Sequence, residues 1–121
     1  NGMREIASIV ESTACLIAGP GILADANRRG KLDELVAALD SVLHARDKRY
    51  LMANVPRAAL ADVKRVLPGI SGPTIVDVLD GGTFVAAHAL VNQKDIYRVI
   101  ADLKRLGATG ILVTRIERLM A

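Results

Sequence analysis

His44, His88 and the single cysteine, Cys15, are the residues of this chain best suited to acid–base, nucleophilic or metal chemistry. A zinc or facial-triad site needs three or four His, Cys, Asp or Glu ligands at recognisable spacings. Neither histidine has them: the two fall on different predicted elements, and no cysteine or carboxylate shares a ligand spacing with either. Ser12 and Ser71 lack a base partner that would activate a hydroxyl. Cys15 reads as a small buried apolar residue, and one cysteine cannot close an internal disulfide, which fits a reducing compartment. The expectation is no catalytic residue and no metal ligand in this segment.

Phosphate chemistry finds no better footing. Gly19-Pro20-Gly21 and Gly81-Gly82 are turns by composition, and neither has the strand, helix and spacing of a nucleotide fingerprint. Asp80-Gly81-Gly82, between two apolar runs, is a hairpin signal. The 16 basic residues are offset by 13 acidic ones, for a net charge of +3. Arg28-Arg29, Lys48-Arg49, Lys64-Arg65 and Lys104-Arg105 are short pairs without interleaved aromatics, so a solvated surface is expected and a nucleic-acid partner is not. The longest apolar run falls far short of the roughly 20 residues of a membrane span, and no signal core is visible, so a soluble, cytoplasmic chain without a membrane partner is expected.

Of the 121 residues, 51% are hydrophobic and nearly all of these are aliphatic. Core packing must therefore rely on Val, Ile, Leu and Ala. Residues 5–10 and 14–18 are strand-like but have few partners within the chain, as at the edge of a sheet whose remainder lies elsewhere. After Gly19-Pro20-Gly21 the period lengthens. Leu32, Leu35, Val36, Leu39, Val42 and Leu43 recur at spacings of three and four, which predicts an amphipathic helix over residues 31–45. Residues 22–29 can add a helical turn or two; Gly30, costing about 1 kcal/mol against Ala, leaves their continuity open. Residues 44–49 form a polar junction. This organisation divides the chain into residues 1–46 and 47–121.

From Tyr50 to Met120 the pattern is strand, helix, strand, strand, helix, strand. In residues 50–55, Leu51, Ala53 and Val55 point one way and Tyr50, Met52 and Asn54 the other; in residues 83–91, Val85, Ala87, Ala89 and Val91 alternate with Phe84, Ala86, His88 and Leu90. Pro56 suits a first helical position, Asn92 an N-cap and Gly107 a helix stop. Leu60, Val63, Val66 and Leu67 stripe the first helix, and Ile96, Val99, Ile100, Leu103 and Leu106 the second. Two amphipathic helices cover one sheet face. Phe84, Ala86, His88, Leu90, Met52 and Leu112 are left on the other, which predicts self-association. The fold class is α+β, a ferredoxin-like βαββαβ two-layer sandwich preceded by a strand pair and a long helix.

Tyr50-Leu51-Met52, Leu67-Pro68-Gly69, Gly72-Pro73-Thr74, the run from Val85 to Val91 containing His88, and Leu106-Gly107-Ala108-Thr109-Gly110-Ile111-Leu112 together resemble the C-terminal regulatory domain of long-form ATP phosphoribosyltransferase. Asn1-Gly2-Met3 and the run from Ile9 to Ile17 resemble the last strands of that enzyme's catalytic region. The resemblance implies an enzyme that starts histidine biosynthesis by joining ATP to phosphoribosyl pyrophosphate with Mg2+, and a C-terminal domain that binds L-histidine as a feedback inhibitor in hexamers. The family's phosphoribosyl pyrophosphate loop would lie before Asn1, so this segment is expected to be inactive alone, with no cofactor of its own.

Carried over by motif, the effector site comprises Asn54, Ile70, Thr74, Leu90 and Gly110. A hydroxyl such as Thr74 and backbone N–H groups of the Gly-Pro loop suit a carboxylate, and Gly110 makes room. Asn54 stands where family members can carry an acid, and offers an ammonium only a neutral carbonyl. Asp77 replaces a frequent Pro, and would supply the missing acid if it faced the pocket; Phe84 replaces a favoured Trp. The alternative expectation is a ferredoxin-like oligomerisation module that binds no effector.

Overall fold

Alternating small and β-branched residues flanked by turn formers build four strands: Lys48–Pro56 (β1), Thr74–Asp77 (β2), Phe84–Asn92 (β3) and Thr109–Arg115 (β4). They form one antiparallel sheet in the order β2-β3-β1-β4. The computed structural model describes residues 3–67, 69, 72–78 and 81–120. The chain divides into two units, Asn1–Glu34 and Leu35–Ala121.

In the second unit, each crossover from one strand to its non-adjacent successor carries a helix. Leu60–Val66 (α2) follows β1 and Ile96–Arg105 (α3) follows β3, and each is entered through a single 3-10 turn. Val63 and Leu67 from the first crossover, and Ile96, Val99 and Leu103 from the second, pack with Leu51, Ala53, Val55, Val85, Ala87, Ala89 and Val91. Both helices thus lie on the face that strand alternation marks as interior. The fold is the expected ferredoxin-like sandwich, with Leu51, Leu67 and Leu103 as its largest fully buried side chains.

Helix entry differs in detail from expectation. Pro56 is the last residue of β1, not the first of a helix: it is extended at φ −59° and ψ 131°, it pairs with Phe84, and the next N–H, of Arg57, donates to the Thr83 carbonyl at 2.8 Å. The ladder continues one residue past proline because proline lacks only a donor, not an acceptor. Asn92 precedes the second 3-10 turn but does not cap it. Its side chain accepts from Lys48 Nζ at 2.7 Å and donates to Asp95 at 3.1 Å.

Gly107 stops α3 as expected. Its N–H donates to the Lys104 carbonyl at 3.0 Å and that of Ala108 to the Leu103 carbonyl at 3.0 Å, the paired bonds of a Schellman motif. Gly107 sits at φ +83°, and a Cβ there would come within 3.2 Å of Pro56 Cγ.

Ala26–Arg46 (α1) is one continuous helix running through Gly30. Asp25 caps it, its carboxylate accepting from the N–H groups of Asn27 and Arg28 at 3.0 and 3.1 Å. Of the expected apolar stripe, Leu35, Val36, Leu39, Val42 and Leu43 are exposed and Leu32 is half-buried, while Ser41 and Ala45 are the helix's buried residues. Residues 3–18 carry no strand pairing and are exposed, Cys15 among them. The expectation of a buried cysteine is therefore corrected. A strand-like sequence needs a neighbouring strand to satisfy its ladder, and the described residues offer this one none.

Candidate functional site

Register across the sheet assembles the uncovered face row by row. One row runs Thr74, His88, Met52, Leu112; the next runs Leu90, Tyr50, Thr114; a third holds Val76, Ala86 and Asn54. Strand parity puts all of these opposite the helices. The face is open in a single chain: Leu112 is 57% exposed and Val76 46%.

The candidate residues fall at two places on it. Thr74, the first residue of β2, stands opposite His88, with Leu90 two residues further along β3. Asn54 and Gly110 meet on the other side, where the β1–β4 register shifts between Met52 and Asn54. Thr109 pairs with Asn54 and Leu112 with Met52, so Gly110 and Ile111 together oppose Ala53, a bulge. Gly110 adopts φ +56°, and a Cβ there would sit 3.3 Å from Asn54 Nδ2. The absence of a side chain thus serves both the bulge and the room beside the Asn54 amide. Two strand spacings across β3 and two residues along it, about 12 Å in all, separate Asn54 from Thr74.

Between the two clusters stands a pair that residue typing did not find. The Tyr50 hydroxyl is 2.9 Å from His88 Nδ1, and the rings meet edge to face with centroids 5.8 Å apart. Parity had put both on one face. Only the register, with Tyr50 opposite Leu90 and Met52 opposite His88, makes them diagonal neighbours within reach.

Ile70 lies outside the described residues, as do Pro68 and Ser71. The glycines flanking it are informative. Gly69 is at φ +58° and Gly72 at φ +92°, and a Cβ on Gly69 would lie 2.6 Å from the Gly72 carbonyl oxygen. Only glycine allows that approach at position 69.

Asp77 does not supply an acid to this face. It shares the parity of Ile75 and pairs with Val85, and its carboxylate accepts from the Arg57 guanidinium. Among the described residues, no group of three His, Cys, Asp or Glu could hold a metal ion. A groove of about 640 Å³ lies instead at the start of β1, lined by Leu43, His44, Asp47, Lys48, Asn92, Gln93 and Lys94, none of them an effector-site candidate. Among the described residues, no helix is long and apolar enough to cross a membrane.

The face therefore offers a hydroxyl, a carboxamide, an imidazole–phenol pair and a glycine-shaped gap on an apolar floor. That inventory offers hydrogen-bonding groups to a small polar ligand.

Curated relatives share this segment at length. ATP phosphoribosyltransferase of Gemmatimonas aurantiaca is 52% identical over 123 residues, covering 99% of this chain and 42% of the relative. The enzymes of the same name from Methanocella arvoryzae and Halorubrum lacusprofundi are 45% and 43% identical, each match covering 99% of this chain and 41% and 40% of the relative. The chain thus spans about two fifths of the length of the curated relatives it matches. Residues 45–118, which include the whole sheet with α2 and α3, match the family model described as HisG, C-terminal domain. The chain belongs to the HisG C-terminal domain family.

Proposed function

We propose that the ferredoxin-like unit is the regulatory segment of an ATP phosphoribosyltransferase, and that its uncovered face binds L-histidine as a feedback inhibitor. The observation that supports this most is the placement of Thr74, Leu90, Asn54 and Gly110 on one open sheet face, around the Tyr50–His88 pair. Thr74 and the glycine-rich loop before it receive the effector carboxylate, the Asn54 carbonyl accepts from its ammonium, and the space at Gly110 admits the ligand. The proposed location is cytoplasmic.

A sheet face open to solvent cannot bury a small ligand by itself. The site is completed by self-association through the same face, in the hexamer implied for the family, and the effector shifts the assembly toward a less active state by binding that state better. In the intact enzyme, ATP and phosphoribosyl pyrophosphate would react, with Mg2+, outside this segment. Calorimetric titration of the purified chain with L-histidine tests this reading: saturable binding supports it, and no heat at millimolar ligand overturns it.

The second reading, an oligomerisation module without an effector, is favoured by the exposure of Leu112 and Val76. It predicts the same association in sedimentation. Only the first predicts a response specific to histidine and dependent on Thr74.

A further inference from the structure

Residues 116–119 leave β4 and run against the second half of α1, where the helix is narrow. Ser41 and Ala45, four positions apart and so on one side of the helix, are 2% and 1% exposed. The Leu119 N–H donates to the Ser41 carbonyl at 2.8 Å, and Arg118 reaches the Ala38 carbonyl at 3.4 Å. Ser41 Oγ donates to that same Ala38 carbonyl at 2.7 Å, so the only polar side chain buried there is satisfied within its own helix. Ile116 and Leu119 are half-buried.

The other attachment of α1 is at its C-terminal end. Asp47 alone separates α1 from β1, and its carbonyl accepts from the Gln93 N–H at 2.8 Å. Arg49 bridges the Arg46 carbonyl and Gln93 Oε1, at 3.1 and 2.5 Å. A one-residue junction fixes where helix and strand meet but not the angle between them, because the rotation of two backbone dihedrals at that residue remains free in principle. A second attachment further up the helix removes that freedom.

We propose that residues 116–119 are a strap that locks the second half of α1 to β4, so that residues 35–46 move with the sheet as one lever. The strap takes the side of α1 bearing Ser41 and Ala45, about 140° round from the centre of the stripe formed by Leu35, Val36, Leu39, Val42 and Leu43, which it leaves exposed. A movement of the sheet then displaces that apolar stripe. The device goes beyond effector binding and is independent of which ligand, if any, occupies the open face.

Hydrogen exchange of the full chain tests it, with two variants that cut the strap. Leu119→Pro removes the N–H donor and leaves the sheet intact; a stop after Arg115 removes the segment. In both, the amides of residues 42–46 are expected to exchange at least about fivefold faster, while those of Leu51 and Val85 keep their protection. Unchanged protection of residues 42–46 in both variants overturns the strap. Equal acceleration in helix and sheet in Leu119→Pro also overturns it, since the segment would then be part of the general core. Selective acceleration in Leu119→Pro upholds it even where the truncated chain fails to fold.

Discussion

The Tyr50 hydroxyl on β1 lies 2.9 Å from Nδ1 of His88 on β3, with the two rings at 80° to one another. When Tyr50 donates, Nδ1 must be the unprotonated nitrogen and Nε2 carries the imidazole proton. The pair ties two neighbouring rows of the open face across the central strands. Tyr50→Phe keeps the edge-to-face stacking and removes the hydrogen bond, so urea denaturation should show a loss of about 0.5–1.5 kcal/mol.

The two faces of the sheet should respond differently to truncation. Leu51→Ala and Leu103→Ala remove fully buried side chains beneath the helices, and each should cost about 2–5 kcal/mol in denaturant unfolding. Leu112→Ala, on the open face, should leave the stability of the dissociated chain within about 0.5 kcal/mol. Sedimentation should instead show weaker self-association for Leu112→Ala.

Gly110 carries a backbone demand as well as a steric one. At φ +56° any L side chain other than the most permissive is strained, so Gly110→Ala should destabilise by about 1–2 kcal/mol in chemical denaturation. Gly110→Asn should cost less, because Asn visits the left-handed region more readily. Combining Gly110→Ala with Asn54→Ala should not restore stability, since it relieves the 3.3 Å contact but not the backbone.

Asp77 and Arg57 form an exposed ion pair on the helix side of the sheet. Asp77→Asn should therefore change unfolding free energy by no more than about 1 kcal/mol, and less at high salt. It should leave any histidine response unaltered. Loss of that response would place an acid at the effector site by a route that strand parity forbids.

The sandwich was legible in the sequence because strand alternation and helix periodicity agree about one interior. Leu51, Val55, Val85 and Val91 share a parity that Val63 and Leu103 can meet from above, and each is buried. Gly107 was legible for a similar reason, since a glycine directly after a periodic helix is a strong stop signal. Pro56 misled because a proline suits both the end of a strand and the start of a helix, and only the bond from Arg57 to Thr83 decides between them. The stripe on α1 predicted the helix but not its buried side, the side of Ser41 and Ala45, where Leu119 bonds to the Ser41 carbonyl. Periodicity cannot anticipate a tertiary contact made by so distant a segment. Parity alone placed Asn54 and Leu90 of the candidate residues on the open face; the diagonal between Tyr50 and His88 required the register.

The central claim is that the open face recognises L-histidine through Thr74. A thermal melt of the purified chain with and without L-histidine, repeated on Thr74→Val, tests it directly. At a ligand concentration a hundredfold above Kd, the unaltered chain should gain about 2.7 kcal/mol and melt correspondingly higher, and Thr74→Val should gain little or nothing. No shift of the unaltered chain in millimolar L-histidine, or an equal shift of both proteins, would contradict the account.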